Sequence, residues 1–349
     1  EREIPRTRSH VMKRFLVAIA LVCLLGLLAV AVPAVYRQVG ERRAAKAAAA
    51  LEAARAAAAA GDAVGAIERY GEYFEGAGPR PDAVALEEYA LLLLEGATAP
   101  GKRRDDVVAA FAAAESALRQ RPDSAAVRRR LGELKLAGGK HAEAREHLLV
   151  ARAALEEGDP DADALDLALA KTWIGTQDDE RVETILGRLV GFDPRSRKFL
   201  AAEDGPRVAP AEAYVLLAAH LRDKRDDPQV AGAVVERALR VHPEDPKVLL
   251  AYSRWKLASK DPAAAAEAAA RAVEIAPGSA GALLADAQAK AAGPDPAAAT
   301  AAFAAAREAF PDDKALFLAA AGHLQHIGSA EGASALLEEG LERYPDEPR

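Results

Sequence analysis

The sequence predicts an all-α chain in which helical units repeat end to end behind one membrane-spanning helix. Three observations carry this expectation. Alanine makes up about a quarter of the 349 residues and aromatics only 5%, and alanine is the best helix former and a poor strand residue. Prolines and small residues recur at a fixed interval of 34 residues, the kind of period that marks a repeat architecture. Residues 15–36 carry no charge at all.

Taken in chain order, the uncharged run comes first. Phe15 to Tyr36 reads FLVAIALVCLLGLLAVAVPAVY between Lys13-Arg14 and Arg37. As a helix it spans roughly 33 Å, enough to cross a hydrocarbon core of about 30 Å. Met12-Lys13-Arg14 and Ala29-Val30-Ala31 also fit the basic region and cleavage site of a signal peptide, but the run exceeds the usual signal length and ends at an interfacial tyrosine. An uncleaved anchor in contact with the lipid bilayer is therefore expected. Arg2, Arg6, Arg8, Lys13 and Arg14 precede the span, and Arg37, Arg42, Arg43 and Lys46 follow it. With the signal-like pattern, these predict a single-pass protein of a bacterial inner membrane whose repeats lie outside the cytoplasm. The one cysteine, Cys23, excludes an internal disulfide and a cysteine zinc site, and Ala20-Leu21-Val22 before it does not suit lipidation.

The repeat is read from its prolines. Pro243, Pro277, Pro311 and Pro345 are 34 residues apart, as are Pro160 and Pro194. Five residues upstream of the C-terminal four stand Ala238, Ala272, Ala306 and Gly340. Twelve upstream stand Ala231, Ala265, Ala299 and Ala333, and twelve further back Ala219, Ser253, Ala287 and Ala321. Small residues at a fixed phase let backbones approach where two helices cross.

This spacing resembles the tetratricopeptide repeat (TPR) family. Phe303 and Leu337 fall at its bulky second-helix position, Gly139 and Gly328 at its turn glycine, and Leu131-Gly132 at its first-helix Leu-Gly pair. The aromatic usual early in the first helix is Phe317 in the last unit and Val215, Leu249 or Leu283 elsewhere. The resemblance implies a right-handed superhelical solenoid of about eight antiparallel helix pairs, helix A and helix B, each pair burying its apolar face against its neighbours. The expected division is a basic segment 1–14, a transmembrane helix 15–36, a linker 37–46, repeats one to four over 47–194, an insertion over 195–211, repeats five to eight over 212–345, and a C-terminal end 346–349 that further sequence or a partner would cover. Gly40 to Gly61 is expected to continue as helix A of the first repeat, with a coiled-coil stalk as the alternative. A second insertion is expected around Ala97 to Lys102.

The resemblance also implies a partner-binding groove lined by A helices. Its register places Arg129, Glu133, Leu167, Lys171, Leu216, His220, Lys224, Leu250, Arg254, Leu284, Gln288, Leu318 and Gln325 there. The leucines would form an apolar floor for a protein or peptide segment, unless they simply pack within the array. The chain contains no asparagine, which argues against the paired lysine-asparagine clamp by which some family members bind a carboxylate.

Chemistry is sparse. The net charge of -7, from 46 basic and 53 acidic residues, is interspersed, which argues against a nucleic-acid partner. No phosphate-binding loop, nucleophile elbow, HExxH or dinucleotide fingerprint occurs. His323 and His326, three apart, and Asp159, Asp161 and Asp163, which imitate the opening of a calcium loop, are read as surface and capping residues. No cofactor or metal is expected. Trp173 and Trp255 are assigned to repeat packing. The expected function is a non-enzymatic membrane scaffold for protein interaction. The alternatives are a substrate-recruiting or regulatory array of an enzyme whose catalytic domain lies outside this chain, and a secreted repeat protein.

Overall fold

The computed structural model describes residues 35–78, 80–99, 101–156, 159–200 and 208–343. The anchor expected over 15–36 lies outside them except for Val35 and Tyr36. Among the described residues no helix is long and apolar enough to cross a membrane.

The described residues form sixteen helices in eight successive pairs. α1 covers 35–59, so residues 37–46, expected as a linker, are helical and continuous with the first A helix. There follow α2 (Ala63–Gly76), α3 (Ala83–Thr98), α4 (Arg104–Gln120), α5 (Ala125–Ala137), α6 (His141–Ala153), α7 (Ala162–Gly175) and α8 (Asp179–Val190). A two-stranded hairpin, β1 (Phe192–Asp193) against β2 (Lys198–Phe199), precedes α9 (Ala211–Arg225), α10 (Pro228–Val241), α11 (Pro246–Ala258), α12 (Pro262–Ile275), α13 (Ala280–Ala291), α14 (Pro296–Ala309), α15 (Lys314–His326) and α16 (Ala330–Arg343). Odd-numbered helices are A helices and even-numbered ones B helices.

The repeat period is written in three local signals. B helices stop at Arg121, His242, Ala276 and Phe310, which share φ between -129° and -131° and each precede a proline. A following proline excludes the helical conformation at the residue before it, so the chain leaves the helix there. B helices start at Asp62, Asp178, Asp227, Asp261 and Asp295, whose carboxylates accept from backbone N–H groups of the first turn. Three of these are followed by Pro228, Pro262 and Pro296, a second 34-residue proline ladder at the first helical position. Between the A and B helices of a pair, one residue turns left-handed: Gly61, Gly139, Gln177, Asp226, Lys260 and Gly328 have φ from 49° to 81°.

The chain divides into two compact units between Leu134 and Lys135. In the N-terminal unit, Ala47, Ala50 and Ala54 of α1 pack on Tyr70 and Tyr73. The Tyr70 hydroxyl, 1% exposed as a residue, donates to Glu88, which also takes Arg55 at 3.0 Å. Burial, with the Glu88 charge beside it, pushes the Tyr70 phenol up to about 12. At the second insertion, Ala97 and Thr98 end the 16-residue α3, Ala97 is buried, and α4 runs to 17 residues.

In the C-terminal unit, one core runs from Leu167 and Trp173 of α7 through α8, the hairpin, α9 and α10 to Val248 of α11. The described start of the 195–211 insertion, expected to separate the two blocks of repeats, thus lies beside a continuous core, with its Phe199 packed edge to face on Phe192 at 5.6 Å. Arg197, at the hairpin turn with φ 59°, reaches Asp227 at 2.6 Å and Glu183 at 3.6 Å and so fastens the hairpin to α10 and α8. Further along, Ala265, Ala269, Ala285 and Ala289 make a buried cluster of alanines, against which Leu250 and Leu257 pack. The ladder residues Ala265, Ala299, Ala287 and Ser253 are all fully buried, as small residues at helix crossings require. Phe303 is buried too, whereas Leu337 is 47% exposed and its neighbour Leu336 turns inward instead.

Candidate partner-binding groove

Within the C-terminal unit, α9 touches α11, α11 touches α13 and α13 touches α15, while α10, α12, α14 and α16 make no comparable contacts with one another among the described residues. The A helices are therefore the more closely spaced layer, and their free faces form the inner side of this unit.

Three successive A helices are linked there by charge. Lys171 of α7 lies 2.9 Å from Glu212 of α9, which is 3.7 Å from Lys247 of α11. Burial works to raise the Glu212 carboxyl, but the hydrogen bond from Lys171 and the charges of both lysines outweigh it and hold the group below the ordinary glutamate value.

The other expected residues divide into three groups. Leu167 and His220 are enclosed rather than open to the groove. Leu167 belongs to the α7–α11 core. His220 faces α8, with Nε2 3.4 Å from Glu183 and Nδ1 3.8 Å from Asp179. Its Nε2 makes no hydrogen bond. Desolvation lowers the imidazole pKa below its ordinary value and Arg225 adds to the effect, against the pull of Asp179 and Glu183.

Leu216, Leu250 and Leu284 are half-buried against neighbouring elements. Leu250 Cδ1 lies 3.6 Å from where a Cβ on Gly281 of α13 would stand. Leu318, at the same phase of α15, is 54% exposed. Lys224, Arg254 and Gln325 are exposed and Gln288 half-buried. Arg129 and Glu133 pair with each other on α5 at 3.1 Å, in the N-terminal unit.

A cleft of about 120 Å³ lies between α9 and α11, over α10. Pro228, Ala231 and Val235 of α10 form its floor, Val215, Ala218, Ala219 and Arg222 one wall, and Ala251, Arg254, Trp255 and Ala258 the other. Trp255 is set by Tyr252 edge to face at 5.6 Å, by the Lys256 ammonium at 4.4 Å, and by the bare backbone of Gly232, where a Cβ would come within 2.3 Å of the indole nitrogen. Trp173 differs, being covered by the Arg145 and Arg181 guanidinium groups at 3.9 and 4.3 Å from its ring. Of the cleft cations, Arg222 is held by Asp223 at 2.6 and 2.9 Å, and Arg254 has no partner among the described residues. Glu212, Lys247, Arg222 and Trp255 were not among the expected groove residues. Glu212 and Lys247 lie one turn before the expected Leu216 and Leu250, so the signal was a charge at each helix start.

No candidate metal cluster of three or more His, Cys, Asp or Glu side chains occurs among the described residues. His323 is buried, 2.9 Å from the Thr300 hydroxyl, and His326 is exposed. Asp159 accepts from the Asp161 N–H at 2.8 Å beside the start of α7.

No protein-family model and no curated protein sequence matches the chain. Solved structures do. A tetratricopeptide repeat protein from Parabacteroides merdae superposes with a TM-score of 0.56 at 12% identity, over 80% of this chain and 99% of that one. A chain of the APC/C hetero-tetramer Cut9–Hcn1 gives 0.52 at 13% identity, over 82% of this chain and 50% of that one. At these identities the likeness is one of architecture, and the architecture of this chain is the all-α solenoid of tetratricopeptide repeats.

Proposed function

We propose that the chain is a non-enzymatic, membrane-anchored scaffold whose A-helix face in the C-terminal unit holds a segment of a partner protein. The observation that carries this reading is the α9–α11 cleft, an apolar concavity edged by Arg254, which has no partner among the described residues. Binding sites are concave and mostly apolar, with few polar groups that fix orientation, and an amphipathic segment in such a groove is a recurrent mode of peptide recognition. That one structural neighbour was solved within a hetero-tetramer, Cut9–Hcn1, supports a role in protein assembly. The anchor rests on the uncharged run 15–36 and its basic flanks, with the repeats outside the cytoplasm of a bacterial inner membrane.

The test places a photocrosslinking residue at Arg254, or at the exposed Ala301 or Ala305 on the B-helix side, in the full chain in native membranes. Protein adducts should form from position 254. Adducts from 301 and 305 alone would move the binding surface to the B helices and end the groove reading. Protease added to intact spheroplasts should digest the repeats, and complete protection would reverse the topology.

A further inference from the structure

The α9–α11 cleft has a size and a charge pattern that together specify what it can hold. Its floor and walls are methyl groups, a proline ring and valines, closed on one side by the Trp255 indole. A volume of about 120 Å³ is a little below that of a cavity able to hold benzene, roughly 150 Å³, so it suits one aliphatic side chain. Only two of its lining residues are charged, Arg222 and Arg254, and no carboxylate is among them. Asp223 occupies the Arg222 guanidinium, which leaves Arg254 as the lining cation without a partner among the described residues. A guanidinium offers a planar fork that matches a carboxylate.

We propose that this cleft takes a single leucine- or methionine-sized side chain from a segment that carries a glutamate or aspartate beside it, the carboxylate meeting Arg254 at the rim. The proposal rests on the groove reading above and names the partner chemistry for it. Gly232 belongs to the same device. Its missing side chain lets Trp255 lie against α10, and a bulkier residue there would push the indole into the space the ligand needs.

The probe is a blocked pentapeptide with a central leucine and two glutamates on each side, titrated into the full chain in detergent. Trp173 and Trp255 are the chain's two tryptophans, so the indole signal of Trp255 is assigned in a Trp173→Phe variant and followed by fluorescence or by its indole N–H resonance in the wild type. A saturable change confined to Trp255 is expected, at least fivefold weaker when alanine replaces the leucine and at least tenfold weaker when lysines replace the glutamates. Arg254→Glu, on an exposed position that leaves the fold intact, should reverse the preference toward the lysine peptide. Equal responses to all three peptides, no saturation, or no reversal in Arg254→Glu would overturn the proposal. If the peptides fail while crosslinks still form from position 254, the cleft assignment falls and the groove reading stands. If both fail, the groove itself is abandoned.

Discussion

Lys171 Nζ on α7 lies 2.9 Å from Glu212 Oε2 on α9, so a cation that the repeat register places in the groove is already engaged by the next repeat. Both side chains are about a third exposed, and pairs of this kind contribute about 0.2–1 kcal/mol. Lys171→Glu sets two carboxylates against each other and should cost about 1 kcal/mol in urea melts at low salt, with the loss shrinking at high ionic strength. Glu212→Lys in the same chain should restore part of it, because the new lysine also meets Lys247. An unchanged melt for the single variant would mean the contact contributes nothing.

The left-handed turn residues predict gains as well as losses. Gln177 and Lys260 hold φ of 58° and 62°, a conformation that costs an L-residue about 1–2 kcal/mol and glycine almost nothing. Glycine gives back some of this through the greater freedom of its unfolded chain. Lys260→Gly and Gln177→Gly should therefore each stabilise by about 0.5 kcal/mol, while Gly139→Val should destabilise by more than 1 kcal/mol. A fall in urea midpoint for both glycine variants would contradict the turn assignment.

Ala265 and Ala299 are fully buried at helix crossings. Leucine at either site has no space to enter and should cost roughly 1–3 kcal/mol. Variants that melt within about 0.5 kcal/mol of the parent chain would show the crossing to be looser than its burial implies.

Much of this architecture was legible because the signals are local. Pro243, Pro277 and Pro311 act on the residue before them, so their spacing in sequence becomes the spacing of helix ends. The matching ladder of Pro228, Pro262 and Pro296 carries the same information about helix starts. The groove was less legible because it depends on what covers each A helix. Carrying the phase of Arg254 back by 34 residues reaches His220, but α9 packs against α8, whose Asp179 and Glu183 face the buried His220. The insertion gave no periodic cue, and its Phe199 packs on the core beside Phe192 through a strand pair two residues long.

His220 makes stability depend on pH. Its folded pKa is lowered, first by burial and further by Arg225 on its own helix, against Asp179 and Glu183 on α8, while the unfolded chain titrates near about 6.5. The unfolded state therefore binds the proton at higher pH. The full stability is present above about 6.5 and declines as pH falls from there through the folded value. His220→Gln should flatten that decline, and the exposed His326→Gln should leave it in place. Urea midpoints from pH 7.5 to 5.5 separate the two, and parallel curves for His220→Gln and the parent chain would remove the imidazole as the cause.

The four leucines at one phase, Leu216, Leu250, Leu284 and Leu318, separate packing from binding. Leu250 lies against Gly281 of α13, and Leu284 packs on the cluster that holds Phe317 and Ala320 of α15. Their partial burial means that truncation removes contacts within the array, below the 2–5 kcal/mol typical of a fully buried leucine but still about 1–2 kcal/mol. Leu318 meets no further A helix among the described residues and is 54% exposed, so Leu318→Ala should change stability by less than about 0.5 kcal/mol. The substitutions at 250, 284 and 318 should therefore fall into two classes in urea melts before any partner is added. With a partner in hand, loss of affinity in Leu318→Ala reports the surface itself, whereas loss in Leu250→Ala or Leu284→Ala must first be corrected for loosening of the repeats. Equal and negligible costs for all three would mean that the leucines line an open floor, as their spacing alone suggested, and that the half-buried contacts to α13 and α15 contribute little.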